Sequence, residues 1–493
     1  MNPRNRLISL SAAGTLLFVL TGCASFTGIT PQSTMLTPQA LRATSQRNTD
    51  TTIFPQQRWW QSFGDAELDA LIAQAIAHNP TLKIAQSRLL EAQAAVATAD
   101  SARYPQVHAA AQSTRERLSA NSIYPPPLGG STVSMNSATI SAQWQFDWFD
   151  KQRAALDAAI GQARAAQADT QAAQAVLAAN VAQQYFSLAR LQAQQQIKRQ
   201  LLQYSEHNAH LIKQRVAAGL DTALPQYQAQ AEVPQLRRDL AALDEQVAIA
   251  RHALAVWIGA EPDATDQLSA HLPRDFQAAV PAQIPAELLG HRADVVAARW
   301  RVESELQHVR ERKAAFYPNI NLSAFVGLEA IGLAQWLRAD SRTLGAGPAI
   351  SLPIFDAGYL RAQLQGSTAR ADAAVETYNA TVLNAMREVA DKLTSWRMLQ
   401  TQLLEQQQSM AQLTSAYQLA QARYQGGLSS YLPVLVAATA VLQQHSALLD
   451  LQARSCDVEV GLMLALGGGY VAAAPVLPMS NNSAVAQIAK VAQ

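Results

Sequence analysis

Two hydrophobic periods alternate along this chain. The first has period two. In "NINLSAFVGL", Ile320, Leu322, Ala324, Val326 and Leu328 alternate with Asn319, Asn321, Ser323, Phe325 and Gly327. In "TISAQWQFD", Ile140, Ala142, Trp144 and Phe146 alternate with Ser141, Gln143, Gln145 and Asp147. Leu344, Ala346, Pro348, Ile350 and Leu352 repeat the pattern, and Val107, Ala109 and Ala111 carry its weakest form. Each run predicts a strand of about ten residues with one apolar and one polar face. That suits a transmembrane β-barrel strand, and equally a soluble sheet with one buried face. The second period is helical. Val375, Tyr378, Val382, Met386, Val389, Leu393 and Trp396 step by three and four, a coiled-coil-like seam, and Leu177, Val181, Tyr185 and Leu188 keep similar steps. No proline occurs from 151 to 224 or from 357 to 432. Each long helix can therefore run for about 65 residues, on the order of 100 Å.

The pattern is written twice. "RVAAGLDTALP" (215–225) returns as "RYQGGLSSYLP" (423–433), with Arg, Gly, Leu, Leu and Pro at one spacing. At the same offset Arg153, Ala154 and Leu156 match Arg361, Ala362 and Leu364, and Gly259 matches Gly467. At a slightly larger offset Ala85, Arg88, Tyr104 and Pro105 match Ala298, Arg301, Tyr317 and Pro318. This is a tandem duplication, each copy reading helix, two strands, long helix, turn, returning helix. The short helices, near Pro80 to Arg103 and Ala223 to Trp257, together nearly equal one long helix. They are expected to lie end to end beside it, giving a rod.

The first residues add a location. Arg4 and Arg6 precede an apolar run, Leu7 to Leu20, too short to span a bilayer securely, which reads as a secretory signal. It ends in "LTGC", which resembles a bacterial lipobox and makes Cys23 the expected lipidated first residue of the mature protein. Ala24 stands where an Asp would favour the inner membrane, so the outer membrane is expected, with the covalent lipid on Cys23 and no other cofactor. An outer-membrane setting favours the barrel reading of the strands. Four strands cannot close a barrel, and an open sheet in lipid would leave edge N–H and C=O groups unpaired at several kcal/mol each. Several chains must contribute to one barrel. The expected layout is a signal peptide at 1–22, a lipidated N-terminal segment at 23–78, and a first repeat at 79–259 with its β-hairpin at 106–148. A connection at 260–290, a second repeat at 291–467 with its hairpin at 319–353, and a tail at 468–493 complete it.

Composition excludes more than it suggests. The net charge of +1 over 493 residues implies no general attraction to nucleic acid or to anionic membrane. No nucleophile elbow, phosphate loop or zinc spacing occurs, so an enzyme is not expected. Glu206 and His210, one turn apart beside His207, read as the solvated face of a polar helix, and Asp147 and Asp150 as caps. Cys456, the one cysteine besides Cys23, reads as a small buried hydrophobe.

Three longer strings carry a family resemblance. "WWQSFGDAELDALIAQAIAHNPTL" (59–82), "FYPNINLSAFVG" and "LPIFDAG" resemble the TolC-like outer-membrane channel family, in its lipoprotein (NodT/OprM-type) branch. "LALGGGY" (464–470) is similar to the end of the last helix in drug and aromatic-acid efflux members. The resemblance implies a mainly α fold with membrane β. Three chains form a homotrimer with a twelve-stranded β-barrel, continued by a long α-helical coiled-coil barrel. It implies a tripartite efflux system for small molecules, drugs or toxic or aromatic compounds, in which the channel meets a periplasmic adaptor protein and an inner-membrane efflux pump. It places the repeated turns, through Arg215, Gly219, Leu220, Asp221 and Pro225 and through Arg423, Gly427, Leu428, Tyr431 and Pro433, at the periplasmic mouth as the adaptor dock. Gly219 and Gly427 are expected to cap the long helices, with Asp221 or Thr222 and Ser429 or Ser430 capping the returning ones. Members often carry an acid just inside this mouth. Val436 stands there, so an apolar gate of Leu432 and Val436 is expected. "HRADV" departs from the family's Arg-Pro-Asp-Val at Ala293, which would leave that helix entry less fixed. The alternatives are a channel for type I protein secretion and a non-channel structural coiled-coil lipoprotein.

Overall fold

The computed structural model describes residues 25–36, 55–121, 123–220, 222–273 and 288–472. Helices α1 (Ala66–His78) and α2 (Pro80–Ser101) lead into β1 (Gln106–Arg117) and β2 (Thr132–Phe146). A long helix, α3 (Lys151–Ala217), and its returning partner α4 (Ala223–Ile258) complete the first repeat. The second consists of α5 (Ala293–Ala314), β3 (Asn319–Ile331), β4 (Arg342–Ser351), α6 (Tyr359–Gln425) and α7 (Leu432–Ala465). Both α3 and α6 run 67 residues without a break, on the order of 100 Å at about 1.5 Å per residue.

The helical seams bury as their spacing predicts. Leu177, Val181, Tyr185 and Leu188 of α3 are buried, with Trp59, Trp60, Phe63, Leu68 and Ile72 packed in the same cluster. Val375, Tyr378 and Val382 of α6 pack with Val295, Ala298 and Val302 of α5. Small residues let α3 and α5 approach closely. The Ser304 hydroxyl donates to the Ala158 carbonyl at 2.8 Å, and a Cβ on Gly161 would stand 3.1 Å from Ser304. Residues 25–36 run along α6, where Asp372 Oδ1 accepts from the Gln32 and Ser33 amides at 2.8 and 2.9 Å. Cys456 is buried among apolar neighbours, and burial pushes its thiol up.

In each repeat the returning helix meets the short helix end to end, and the two junctions are built differently at equivalent positions. Asn79 caps α2 by accepting from Thr81 N at 2.8 Å, and its amide donates to Trp257 O, at the end of α4, at 2.9 Å. Gly259 ends α4 with φ +72°, and a Cβ there would lie 2.9 Å from the His78 carbonyl. In the second repeat Arg292 takes the place of Asn79. Its guanidinium donates to Ala465 O at 3.1 Å, to Glu388 at 2.9 Å and to Asp294 at 2.6 Å. Gly467, with φ +112°, closes against His291, where any Cβ would overlap the carbonyl oxygen. Ala293 therefore does not leave the helix entry loose: the buried Arg292 fixes it from both sides.

One buried acid stands apart. Glu459 of α7 is 3% exposed, and burial pushes its carboxyl up to about 7 against a hydrogen bond from Ser455 that lowers it. Near neutral pH the folded chain holds this proton while the unfolded chain ionises near the ordinary 4.5. Stability therefore falls as pH rises from about 4.5 towards 7. Glu459→Gln should flatten that dependence and raise stability at pH 8 by as much as about 3 kcal/mol, read as thermal unfolding of the detergent-solubilised protein at pH 5 and pH 8. An unchanged pH profile would refute it.

Candidate functional site

The four strands form one antiparallel sheet in the order β1-β2-β3-β4, so the two hairpins join through β2 and β3. The register lines up the alternation. Val107, Ala142, Ala324 and Ala346 share one row; Ala109, Ile140, Val326 and Leu344 share another. Trp144, Leu322 and Pro348 form a third row and Phe146, Ile320 and Ile350 a fourth, all on one face. The opposite face carries Gln106, Gln143, Ser323 and Gly347, then His108, Ser141, Phe325 and Gly345. In these two rows Phe325 is the one large apolar side chain, and its ring covers Gly345: a Cβ on that glycine would stand 2.6 Å from the ring. One sheet thus presents an apolar face and a water-compatible face along its whole width. The outer edges of β1 and β4 have no strand partner among the described residues.

Aromatic side chains gather where the sheet meets the helices. Trp144, Phe146 and Trp148 form a chain of rings with centroids 5.1 and 5.7 Å apart. Phe149 stacks on Tyr317 at 4.7 Å, and Phe26 meets Phe316 edge-on at 5.5 Å. The Arg361 guanidinium donates to the Ser25 carbonyl beside them. Such a belt marks a membrane–water interface. Cys23 lies outside the described residues; Ser25, two positions on, sits at this belt.

The two repeated turns lie at the other end of the rod from the sheet. Both long helices end in a Schellman turn. Leu220 N donates to Arg215 O at 2.8 Å and Gly219 N to Val216 O at 3.0 Å; Leu428 N donates to Arg423 O at 2.9 Å and Gly427 N to Tyr424 O at 3.0 Å. Gly219 and Gly427 both have φ +71° with nothing within 4 Å of a built Cβ. Alanine at either would cost only backbone strain, about 1 kcal/mol, whereas at Gly467 it cannot be placed at all. The returning helices differ from expectation. Asp221 lies outside the described residues, and Thr222 is the N-cap of α4 without a side-chain capping bond. The N-cap of α7 is Tyr431, and neither Ser429 nor Ser430 takes that role. Pro225 and Pro433 fall in the first turns. Leu220, Leu428, Leu432 and Val436 are all exposed on the single chain. Leu432 and Val436, four apart on α7, share one side of that helix.

Sequence reasoning missed the aromatic cluster behind these turns. The Tyr431 ring lies 5.1 Å from Tyr424 and 5.8 Å from His207. Burial raises the Tyr417 hydroxyl, followed by the charge of Tyr204 and its hydrogen bond. The cluster ties α3 of one repeat to α6 and α7 of the other. Its signal was present, since Tyr417, Tyr424 and Tyr431 recur every seventh residue. Glu206 pairs with Arg237 at 2.6 Å and His210 lies 3.0 Å from Gln214, and no metal-binding group occurs among the described residues.

The comparisons with known proteins agree with this geometry. The family described as "Outer membrane efflux protein" matches residues 71–260 and 284–468. The chain is 32% identical over 479 residues to the multidrug resistance outer membrane protein MdtP of Escherichia coli K12, covering 95% of this chain and 97% of that one. It is 35% identical over 357 residues to the fusaric acid resistance protein FusA of Burkholderia cepacia, covering 71% of this chain and 67% of that one. The crystal structure of the outer membrane protein VceC from Vibrio cholerae superposes with a TM-score of 0.77 at 35% identity, over 85% of this chain and 100% of that one.

The face assignment has a direct test. Leu322→Arg should impair membrane assembly by about 2–4 kcal/mol, while Asn321→Arg on the opposite face should assemble nearly as wild type. Equal yields of folded, heat-modifiable protein from outer-membrane fractions would show the faces to be misassigned.

Proposed function

The chain belongs to the outer membrane efflux protein family, and from that premise we propose that three copies close one barrel and conduct small molecules out of the cell. It is an outer-membrane channel whose helical part extends into the periplasm, which removes the reading as a non-channel coiled-coil lipoprotein. The observation that carries the trimer is the open sheet. Four strands with an apolar face and two unpartnered edges satisfy their backbone in lipid only by pairing with further copies. Three copies give twelve strands, wide enough for a lumen, whereas two give eight, a barrel filled by its own side chains.

At the far end, three copies bring six Schellman turns around one axis. These turns, with Arg215, Gly219, Leu220, Asp221 and Pro225 in the first and Arg423, Gly427, Leu428, Tyr431 and Pro433 in the second, form the dock for a periplasmic adaptor, which links the channel to an inner-membrane pump. Relatives named for multidrug and fusaric acid resistance support small, partly apolar cargo. The exposed apolar pair Leu432 and Val436 closes the mouth, excluding ions by dewetting. Cys23 carries the lipid, beside the aromatic belt reached by Ser25 and Phe26.

The function is tested by co-expressing the chain with its neighbouring pump and adaptor genes in a host lacking its own efflux channels. Drug tolerance should rise only when all are present, and no rise with any toxic compound would sink the proposal. Val436→Ser should raise single-channel conductance in planar bilayers with trimer yield unchanged; a wild-type conductance would place the constriction elsewhere. Cys23→Ser should abolish incorporation of labelled palmitate, and persistent labelling would remove Cys23 from the anchor.

A further inference from the structure

We propose that Arg115 and Arg117 of β1 and Arg342 of β4 form, at each seam between copies, a binding site for the phosphate groups of an outer-leaflet lipid. The inference rests on the closed-barrel reading above.

The placement follows from the register. Arg115 and Arg117 fall at the alternate positions that begin with Val107, Ala109 and Ala111, and pair with Ser134 and Thr132. Arg342 pairs with Leu328, in the series that continues through Leu344, Ala346, Pro348 and Ile350. All three therefore project from the apolar face, outward to the membrane and not into the lumen.

Height is set by the same rows. The apolar band begins at the row of Phe146, Ile320 and Ile350 and ends at the row of Ala138 and Leu328. Eight residues of strand span about 27 Å, and a strand tilt of about 40° leaves about 20 Å of height, close to the apolar thickness a barrel presents. Arg342 stands at the upper limit of that band, and Arg115 and Arg117 lie beyond it. The end is the outer one, because the helices join the strands at the opposite end and only short connections, 118–131 and 332–341, lie here.

These guanidinium groups have no anionic partner among the described residues. All three side chains are exposed, and none makes an ion pair among the described residues. The nearby acids do not serve them. Glu116 and Glu329 occupy alternating positions that project from the water face. Asp340, in the connection before β4, is not within ion-pair distance of Arg342. A guanidinium offers a rigid fork of donors that matches a phosphate bidentately, and it is less strongly hydrated than an ammonium. At the top of an apolar band the anion within reach is the phosphate of a lipid headgroup.

The seam concentrates the charge. β1 and β4 are the two edges of the sheet, and strands alternate in direction, so β4 of one copy runs antiparallel to β1 of the next. The outer ends of both edges then lie at the same rim of the barrel, with arginine on each side of the seam.

The test is native mass spectrometry of the detergent-solubilised full-length assembly, titrated with bisphosphorylated lipid A or with its dephosphorylated form. The lipid-free mass reports the copy number separately, so a wrong assembly reading is distinguishable from a failed lipid site. Wild type should bind the phosphorylated lipid about tenfold more tightly than the combined Arg115→Gln, Arg117→Gln, Arg342→Gln variant. Removing the lipid phosphates should cause a similar loss, while Glu329→Gln on the water face should bind as wild type. Excess inorganic phosphate should not displace the lipid. Equal binding of the two lipids by wild type would overturn the proposal whether or not the triple variant assembles. Equal binding by that variant would overturn it too, and displacement by inorganic phosphate would reject the lipid as the ligand.

Discussion

A β-sheet with two open edges cannot rest in hydrocarbon, and most of this molecule follows from that constraint. Each edge N–H and C=O left unpaired in lipid costs several kcal/mol, and the chain carries both edges on one four-stranded sheet. Closure must come from other copies, and closure in turn imposes an axis. Everything attached to the strands then repeats around it: the long helices, the splices at mid-height and the turns at the mouth. Apolar residues exposed on the single chain, such as Leu404 and Leu419 of α6, belong to the same logic, because helices arranged around an axis pack against neighbours that one chain does not contain.

Much of this architecture was legible in the sequence because it is periodic. A period-two run constrains a strand and its faces together. The pairing of Ile140 with Val326 and of Trp144 with Leu322 puts the two hairpins' apolar positions in common rows. The long helices were legible through the spacing of Val375, Tyr378 and Val382 and through the lack of proline. The glycine caps were legible because a repeated Gly after a long helix has few other uses, and φ +71° at both Gly219 and Gly427 is the conformation that cap requires.

What escaped the sequence reading depends on contacts between segments far apart in the chain. Nothing near Arg292 announces that it reaches the Ala465 carbonyl and Glu388. The family resemblance suggested that Ala293, standing where members commonly carry a proline, would leave the helix start less fixed. The serines before α7 looked like caps on propensity, but Tyr431 takes the position and packs its ring against Tyr424 and His207. The water-facing Phe325 is a similar case: alternation marks it as polar-side, and the register supplies the reason, a glycine directly opposite that leaves room for the ring.

The end-to-end junctions give the rod an uneven stiffness. Beside each junction runs one uninterrupted helix of 67 residues, so each repeat resembles a splinted beam, solid on one side and jointed on the other. Bending or twisting stress from the periplasmic end reaches the barrel through the solid helix, but it can be relieved only at the joint. The joints are braced differently. At Asn79 and Gly259 a neutral amide bonds across to Trp257 O, whereas at Arg292 and Gly467 a guanidinium bonds across to Ala465 O and is also tied sideways to Glu388 of the long helix. A torque on the mouth would therefore turn the first repeat about its joint before the second. Three copies of such a beam would respond as six staves that yield alternately, changing the shape of the opening while the barrel above keeps its form.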